Sequence, residues 1–169
     1  IHSTFKQLQT NTQHRGNIEA FPFALGNEIT TETVYLQSRS TVNSLSPEVN
    51  LPKERGHQTQ EVSVTTVEAF CQEHHLSQLD LLKIDTEGFE LQVLSGARPF
   101  LEARKITFIL IEVTFDGDNQ HNSSYAVISQ YLEAFGYKVH GFYNQSIHQG
   151  STKMNYCDAL FYLQPEQTK

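Results

Sequence analysis

The sequence predicts an α/β domain organised around a mostly parallel sheet, and three observations carry that prediction. Two near-continuous apolar runs, LDLLKID over 79–85 and ITFILIEV over 106–113, have the composition of strands buried on both faces. Stretches with apolar residues at helical spacing separate and follow them. The alternation of strand with helix in this half of the chain fits right-handed crossovers between parallel neighbours.

The elements follow in order. Residues 3–14 (STFKQLQTNTQH) place Phe5 and Leu8 at helical spacing on a polar background, as in the tail of a surface helix, which Gly16 ends. Residues 18–25 (IEAFPFAL) are apolar enough for a strand, but Pro22 has no amide hydrogen to give a ladder, so an edge or irregular strand is expected, closed by Gly26-Asn27. Residues 33–37 (TVYLQ) and 61–65 (EVSVT) alternate and are rich in β-branched residues, which predicts two short strands paired antiparallel. Between them, Ser38 to Gln60 is polar, with Pro47, Pro52 and Gly56 and few apolar anchors, the make-up of a long mobile loop over a site.

Thr66 suits the N-cap of a helix from Val67 to about His74, because its hydroxyl can accept an orphan amide hydrogen of the first turn. A helical stretch from Glu90 to Ala103 carries Leu91, Val93, Leu94 and Ala97, and Gly96 with Pro99 predicts a break inside it. Ser124 to Phe135 is an amphipathic helix stopped by Gly136, and Tyr137 to Phe142 and Tyr156 to Leu163 complete the strands.

A chain of 169 residues, 38% hydrophobic and 11% aromatic, can bury a core of its own, so one domain over 1–169 is expected. The net charge of −7 gives phosphates no basic face, which argues against nucleic acid as a partner. No apolar run approaches the length of a membrane span, so no membrane partner is expected, and no leader peptide is visible. The opening at Ile1 reads as that of a fragment. Cys71 and Cys157 are too few for a disulfide framework and read as reduced, buried thiols, which favours a cytoplasmic setting. The His74-His75 pair at a helix end fits capping or solvation better than metal binding, and no metal site is assigned.

Ligands in open parallel sheets bind beyond the carboxyl ends of the strands, which singles out Lys83-Ile84-Asp85-Thr86-Glu87-Gly88. Asp85 belongs at the strand end, Glu87 two residues on, and Gly88 where the backbone turns or approaches a ligand. These carboxylates can take a substrate proton, hydrogen-bond a cationic cofactor or hold a divalent ion. They can equally cap the following helix, where the dipole favours acidic groups by roughly 0.3–1 kcal/mol. Lys83 and Glu112 are charges inside apolar strands; either they pair with each other, or Glu112 stands at the cleft rim as a substrate contact. Asp116-Gly117-Asp118-Asn119 has the residues of a calcium loop but lacks further spaced ligands, and a solvated turn fits better.

Taken together, Phe23-Ala24-Leu25-Gly26, the loop Ser40-Thr41-Val42-Asn43-Ser44-Leu45, Val64-Thr65-Thr66-Val67, Asp80 through Glu90 (DLLKIDTEGFE), Val93-Leu94-Ser95-Gly96-Ala97 and the closing Asp158-Ala159-Leu160-Phe161 resemble, in order and spacing, FkbM-type S-adenosylmethionine-dependent methyltransferases. The resemblance covers nearly the whole chain. It implies a Rossmann-like class I methyltransferase sheet of strand order 3-2-1-4-5-7-6 with the last strand antiparallel. It also implies that this chain, beginning after the second strand of that order, lacks the first two strands with their Gly-rich loop and ribose-binding acid.

By the same resemblance the cofactor is S-adenosyl-L-methionine, with Ala24 and Leu25 against the adenine and Asp85 facing the methyl end and the acceptor. Glu87 becomes a second acid-base or acceptor contact, and the activity O-methylation of a small hydroxylated metabolite or sugar. Two flanking strands would then lack partners, so the chain alone is expected to be marginally stable and inactive. Two alternatives remain. Asp85-Thr86-Glu87 after an apolar strand imitates the acidic motif of a metal-dependent nucleotide-sugar glycosyltransferase, and a chain without the cofactor loop can be a non-catalytic remnant.

Overall fold

In the computed structural model, residues 2–36, 43–46, 58–119, 121–147 and 152–165 are described. The elements are α1 (His2–Thr12), β1 (Ala24–Leu25), β2 (Thr30–Tyr35), β3 (Thr59–Thr65), α2 (Val67–Glu73), β4 (Leu79–Ile84), α3 (Glu90–Gly96), α4 (Arg98–Glu102), β5 (Ile106–Val113), α5 (Tyr125–Glu133), β6 (Tyr137–Ile147) and β7 (Met154–Leu163). The chain is thus α/β, as its alternating pattern predicts. Of the expected mobile loop, residues 38–42 and 47–57 lie outside the described residues.

The strands form two sheets rather than one. The first has order β1-β3-β2, with β1 parallel and β2 antiparallel to β3. The second has order β4-β5-β7-β6; β4 and β5 are parallel, and β7 runs antiparallel to both β5 and β6. It follows that β4, β5 and β6 share one direction and that β7 alone is reversed. The antiparallel pairing of the two short alternating strands is present, with Thr33 opposite Glu61 and Val34 opposite Gln60.

Several boundaries depart from the sequence reading for local reasons. The apolar stretch 18–25 yields only a two-residue strand, because Pro22 interrupts it and Phe21 and Phe23 turn to pack around Phe70, with ring centroids 5.0 Å and 5.8 Å away. The surface helix ends at Thr12, before Gly16; the Thr12 hydroxyl donates to the Leu8 carbonyl at 2.8 Å, competing with the ladder. The last two strands run longer than their apolar cores, and their pairing carries register shifts after Val139, Tyr143 and Ser146. The break inside 90–103 falls at Ala97, where α3 ends and α4 begins with Pro99 in its first turn. Thr66 caps α2 as expected, its hydroxyl accepting from the Ala69 amide at 3.0 Å.

Helices α2 to α5 cover one face of the second sheet. Val67 and Cys71 from α2, Val93 and Leu94 from α3, Leu101 from α4 and Ile128 and Leu132 from α5 bury against Ile84, Ile109, Ile111, Val113, Ala159 and Phe161. The alternate side chains behave differently: Leu81 is 52% and Phe108 41% exposed, although they sit opposite one another in register. One face is therefore packed and the other open, where the apolar runs predict strands buried on both faces. Cys71 and Cys157 are free and buried. Among the described residues no helix is long and apolar enough to cross a membrane.

Candidate active site

Between β1 and β4, each an edge strand of its sheet among the described residues, lies a groove of about 430 Å³. Phe23, Ala24 and Leu25 form one wall, Phe89 and Val93 the apolar floor, and Lys83, Asp85 and Thr86 the polar end. The residues assigned to the cofactor from sequence, Ala24, Leu25 and Asp85, thus line one space. Asn43 and Ser44 also reach it, and the Ser44 hydroxyl donates to the Thr86 carbonyl at 3.3 Å.

The chain leaves β4 through a tight turn. Glu87 adopts φ 53° and Gly88 φ 96°, so the left-handed backbone expected at Gly88 extends to a non-glycine residue, which costs on the order of 1–2 kcal/mol. Glu90 holds the turn: its Oε1 accepts from the Thr86 amide (3.1 Å), the Thr86 hydroxyl (3.1 Å) and the Gly88 amide (3.0 Å). The turn brings Asp85 and Glu87 together, and β5 delivers Glu112 to the same place. One carboxylate oxygen from each of these three residues lies within 4.8 Å of the others, an arrangement that can hold a divalent cation or a polar acceptor.

Lys83 does not pair with Glu112. It reaches along its own strand to Asp85, Nζ to Oδ2 2.8 Å; Lys83 stands opposite Leu110 in register, and Glu112, two residues on along β5, acts on it only as a nearby charge. Glu112 instead accepts from the Asn122 side-chain amide, and it sits in register with Asp158, whose carboxylate accepts from Asn144 at 2.6 Å. Glu87 faces His121, with 3.5 Å between Oε2 and Nδ1. The Asp116–Asn119 segment is a turn, its Asp118 amide donating to Asp116, and Asp116 pairs with Lys153 at 2.7 Å.

Crowding of acids raises their proton affinities. Burial, then Asp85 and Glu90, push the Glu87 carboxyl up. Burial, then the charges of Asp85 and Glu87, push Glu112 to about 7 against the lowering effect of Asn122. The folded chain therefore keeps a proton on Glu112 where the unfolded chain has released it, so this group's contribution to stability is lost as pH rises from about 4.5 to about 7. Glu112→Gln is expected to flatten the decline of the melting temperature across that window; an unchanged slope would show that Glu112 titrates normally.

Sequence reasoning misses Glu90, Ser44, Asn122, Ser123 and His121. Glu90 carries a signal, a carboxylate at the first position of a helix after a glycine turn, but in the sequence it reads only as the helix start. Ser44 stands in a segment that carries the family resemblance but receives no role from it, and His121, Asn122 and Ser123 lie in a loop without periodicity that no spacing rule reaches.

The family model of the methyltransferase FkbM domain matches residues 4–139. No curated protein and no solved structure matches the chain.

Proposed function

The chain belongs to the FkbM methyltransferase family, and from that premise we propose that it is an S-adenosylmethionine-dependent methyltransferase acting on a hydroxyl of a small metabolite or sugar. The observation that carries the reading is the groove between β1 and β4, an apolar slot lined at its polar end by Asp85, whose carboxylate lies beside those of Glu87 and Glu112 just outside the lining. The residues fit the cofactor's chemistry: Ala24, Leu25, Phe89 and Val93 offer a flat apolar space for an adenine, and Asp85 offers a negative charge for a sulfonium. S-adenosylmethionine, when bound, supplies an electrophilic methyl group.

The chain's own residues then orient and deprotonate the acceptor. Asp85, kept beside Lys83, is the orienting group or base; Glu87 is a second contact; Glu112, with its carboxyl near neutrality, faces the acceptor and can exchange a proton there.

The sheet geometry supports a Rossmann-like class I arrangement. The order β4-β5-β7-β6 with β7 reversed corresponds to the 4-5-7-6 half of the expected sheet. Among the described residues β1 and β4 each keep one unpaired edge along the groove, and Leu81 and Phe108 are exposed on the open face. Two further strands and a covering helix would complete both features and enclose the cofactor.

The test is calorimetric titration of S-adenosylhomocysteine into this chain and into a form carrying any residues encoded upstream of it. One-to-one binding to the longer form is expected, lost in Ala24→Trp, whose indole fills the slot. Binding of a nucleotide sugar with manganese, and of no S-adenosylhomocysteine by either form, would overturn the reading. Binding of neither ligand would mark a non-catalytic remnant.

A further inference from the structure

We propose that Glu90 is a positioning residue, the single carboxylate that clamps the turn carrying Asp85 and Glu87 to the loop carrying His121 and Asn122. It is 0% exposed, and both of its carboxylate oxygens are engaged. Oε1 takes the three donors from Thr86 and Gly88, and Oε2 takes the Ser123 amide at 3.1 Å and the Ser123 hydroxyl at 2.7 Å. These five bonds divide cleanly between the two oxygens, one oxygen for each loop.

Both loops depend on the clamp for their relation to one another. On one side, the strained backbone at Glu87 is bracketed by the Thr86 and Gly88 amides, which both donate to Oε1. On the other, Ser123 is held by Glu90 through its donors and by Thr114 through its carbonyl, which accepts the Thr114 amide at 3.0 Å. The residues just before Ser123 then meet the acid cluster, Asn122 on Glu112 and His121 beside Glu87. Because Glu90 opens α3, whose Val93 and Leu94 are buried, the clamp is anchored to the hydrophobic core. The placement of His121 against Glu87 and of Asn122 against Glu112 is thereby set by a residue that, like those two acids, lies outside the lining of the groove.

A neutral amide cannot do this. In Glu90→Gln the NH₂ group must face either the Thr86–Gly88 donors or the Ser123 donors; the hydroxyl on that side can turn to accept, but the backbone amides of that loop lose their acceptor whichever way the amide turns. The functional half of the inference rests on the methyl-transfer reading; the clamp itself does not.

The experiment measures amide hydrogen exchange in Glu90→Gln against Leu101→Ala, a core truncation in α4 that lowers global stability without touching either loop. The Thr86 and Gly88 amides, the Ser123 amide, or both sets should exchange roughly tenfold or more faster than the shift shown by core amides such as Leu94 and Ile109. Exchange at all three that merely follows the core, as in Leu101→Ala, would overturn the clamp. If Glu90→Gln does not fold, Glu90→Asp keeps the charge but is one methylene too short to reach both loops; selective acceleration of the Thr86 and Gly88 amides or of the Ser123 amide in that variant supports the clamp, and exchange there that only follows the core refutes it.

In a form that transfers methyl groups, Glu90→Gln should lower kcat while the cofactor KM stays within about twofold, and Leu101→Ala should leave kcat intact. An unchanged kcat in Glu90→Gln would refute the positioning role. Absence of transfer by the unsubstituted enzyme would refute the methyl-transfer reading instead, with exchange still deciding the clamp.

Discussion

Asp85→Asn is expected to lower the turnover of methyl transfer by about 10²–10⁴-fold, the usual size of a lost general base or charged orienting group. The substitution keeps the shape of the side chain and removes its charge, so packing at the end of β4 should survive. Three features make the effect large. Asp85 lines the groove, its carboxylate lies within 4.8 Å of those of Glu87 and Glu112, and the Lys83 ammonium holds it at 2.8 Å. Removing that charge frees Lys83 beside the acceptor and relieves the repulsion that raises Glu112. The proton affinity of Glu112 should therefore fall along with turnover, and the acidic limb of the rate profile should move to lower pH. Steady-state kinetics across pH would measure both changes; full activity in Asp85→Asn would end its assignment as base or orienting group.

Gly96→Ala should cost about 3 kcal/mol of folding stability, the upper range for overpacking at a close approach. A β-carbon built on Gly96 would stand 2.0 Å from the carbonyl oxygen of Gly26 and 3.2 Å from Thr66 Cβ. The obstruction at 2.0 Å is backbone, which has no rotamer to escape into. Gly26 is itself confined, since a β-carbon there would meet Val64 Cγ1 at 2.7 Å and the Phe89 ring at 3.2 Å. The gain that alanine ordinarily brings to a helix, about 0.5–1 kcal/mol, does not offset such a clash. Relief requires α3 to move away from the turn after β1, which would widen the groove between Leu25 and Val93. Urea denaturation should show a lower midpoint, and binding of S-adenosylhomocysteine should weaken in parallel. A neutral or stabilising Gly96→Ala would mean that α3 and the Gly26 turn do not touch.

The fold and the candidate site are legible to different depths in the sequence. Periodicity and composition suffice for β4, β5, α2 and α5, because burial on one face or two leaves a repeating mark along the chain. The chemistry of Thr66 as a cap and of Gly96 and Pro99 as a break is also local, and both stand in the structure. Asp85 and Glu87 can be chosen because a strand end is a place the sequence can locate, and the resemblance to FkbM methyltransferases rests in part on that same segment.

Contact between distant segments is what the sequence does not supply. Whether Lys83 meets Glu112 or Asp85 depends on where the two side chains point once β4 and β5 are paired, which composition does not record. The role of Glu90 requires Ser123, 33 residues away, to arrive at its second oxygen. The elevated proton affinity of Glu112 requires burial and the charges of Asp85, Glu87 and Asp158, brought in by the turn after β4 and by β7. Thus the sequence alone determined the α/β class, the main strands and helices and the acidic turn, since these follow from local preference and spacing. The division into two sheets, the groove between their free edges and the clamp across the acid cluster were decided only by tertiary structure, because hydrogen-bond pairing and desolvation act between segments that no local pattern connects.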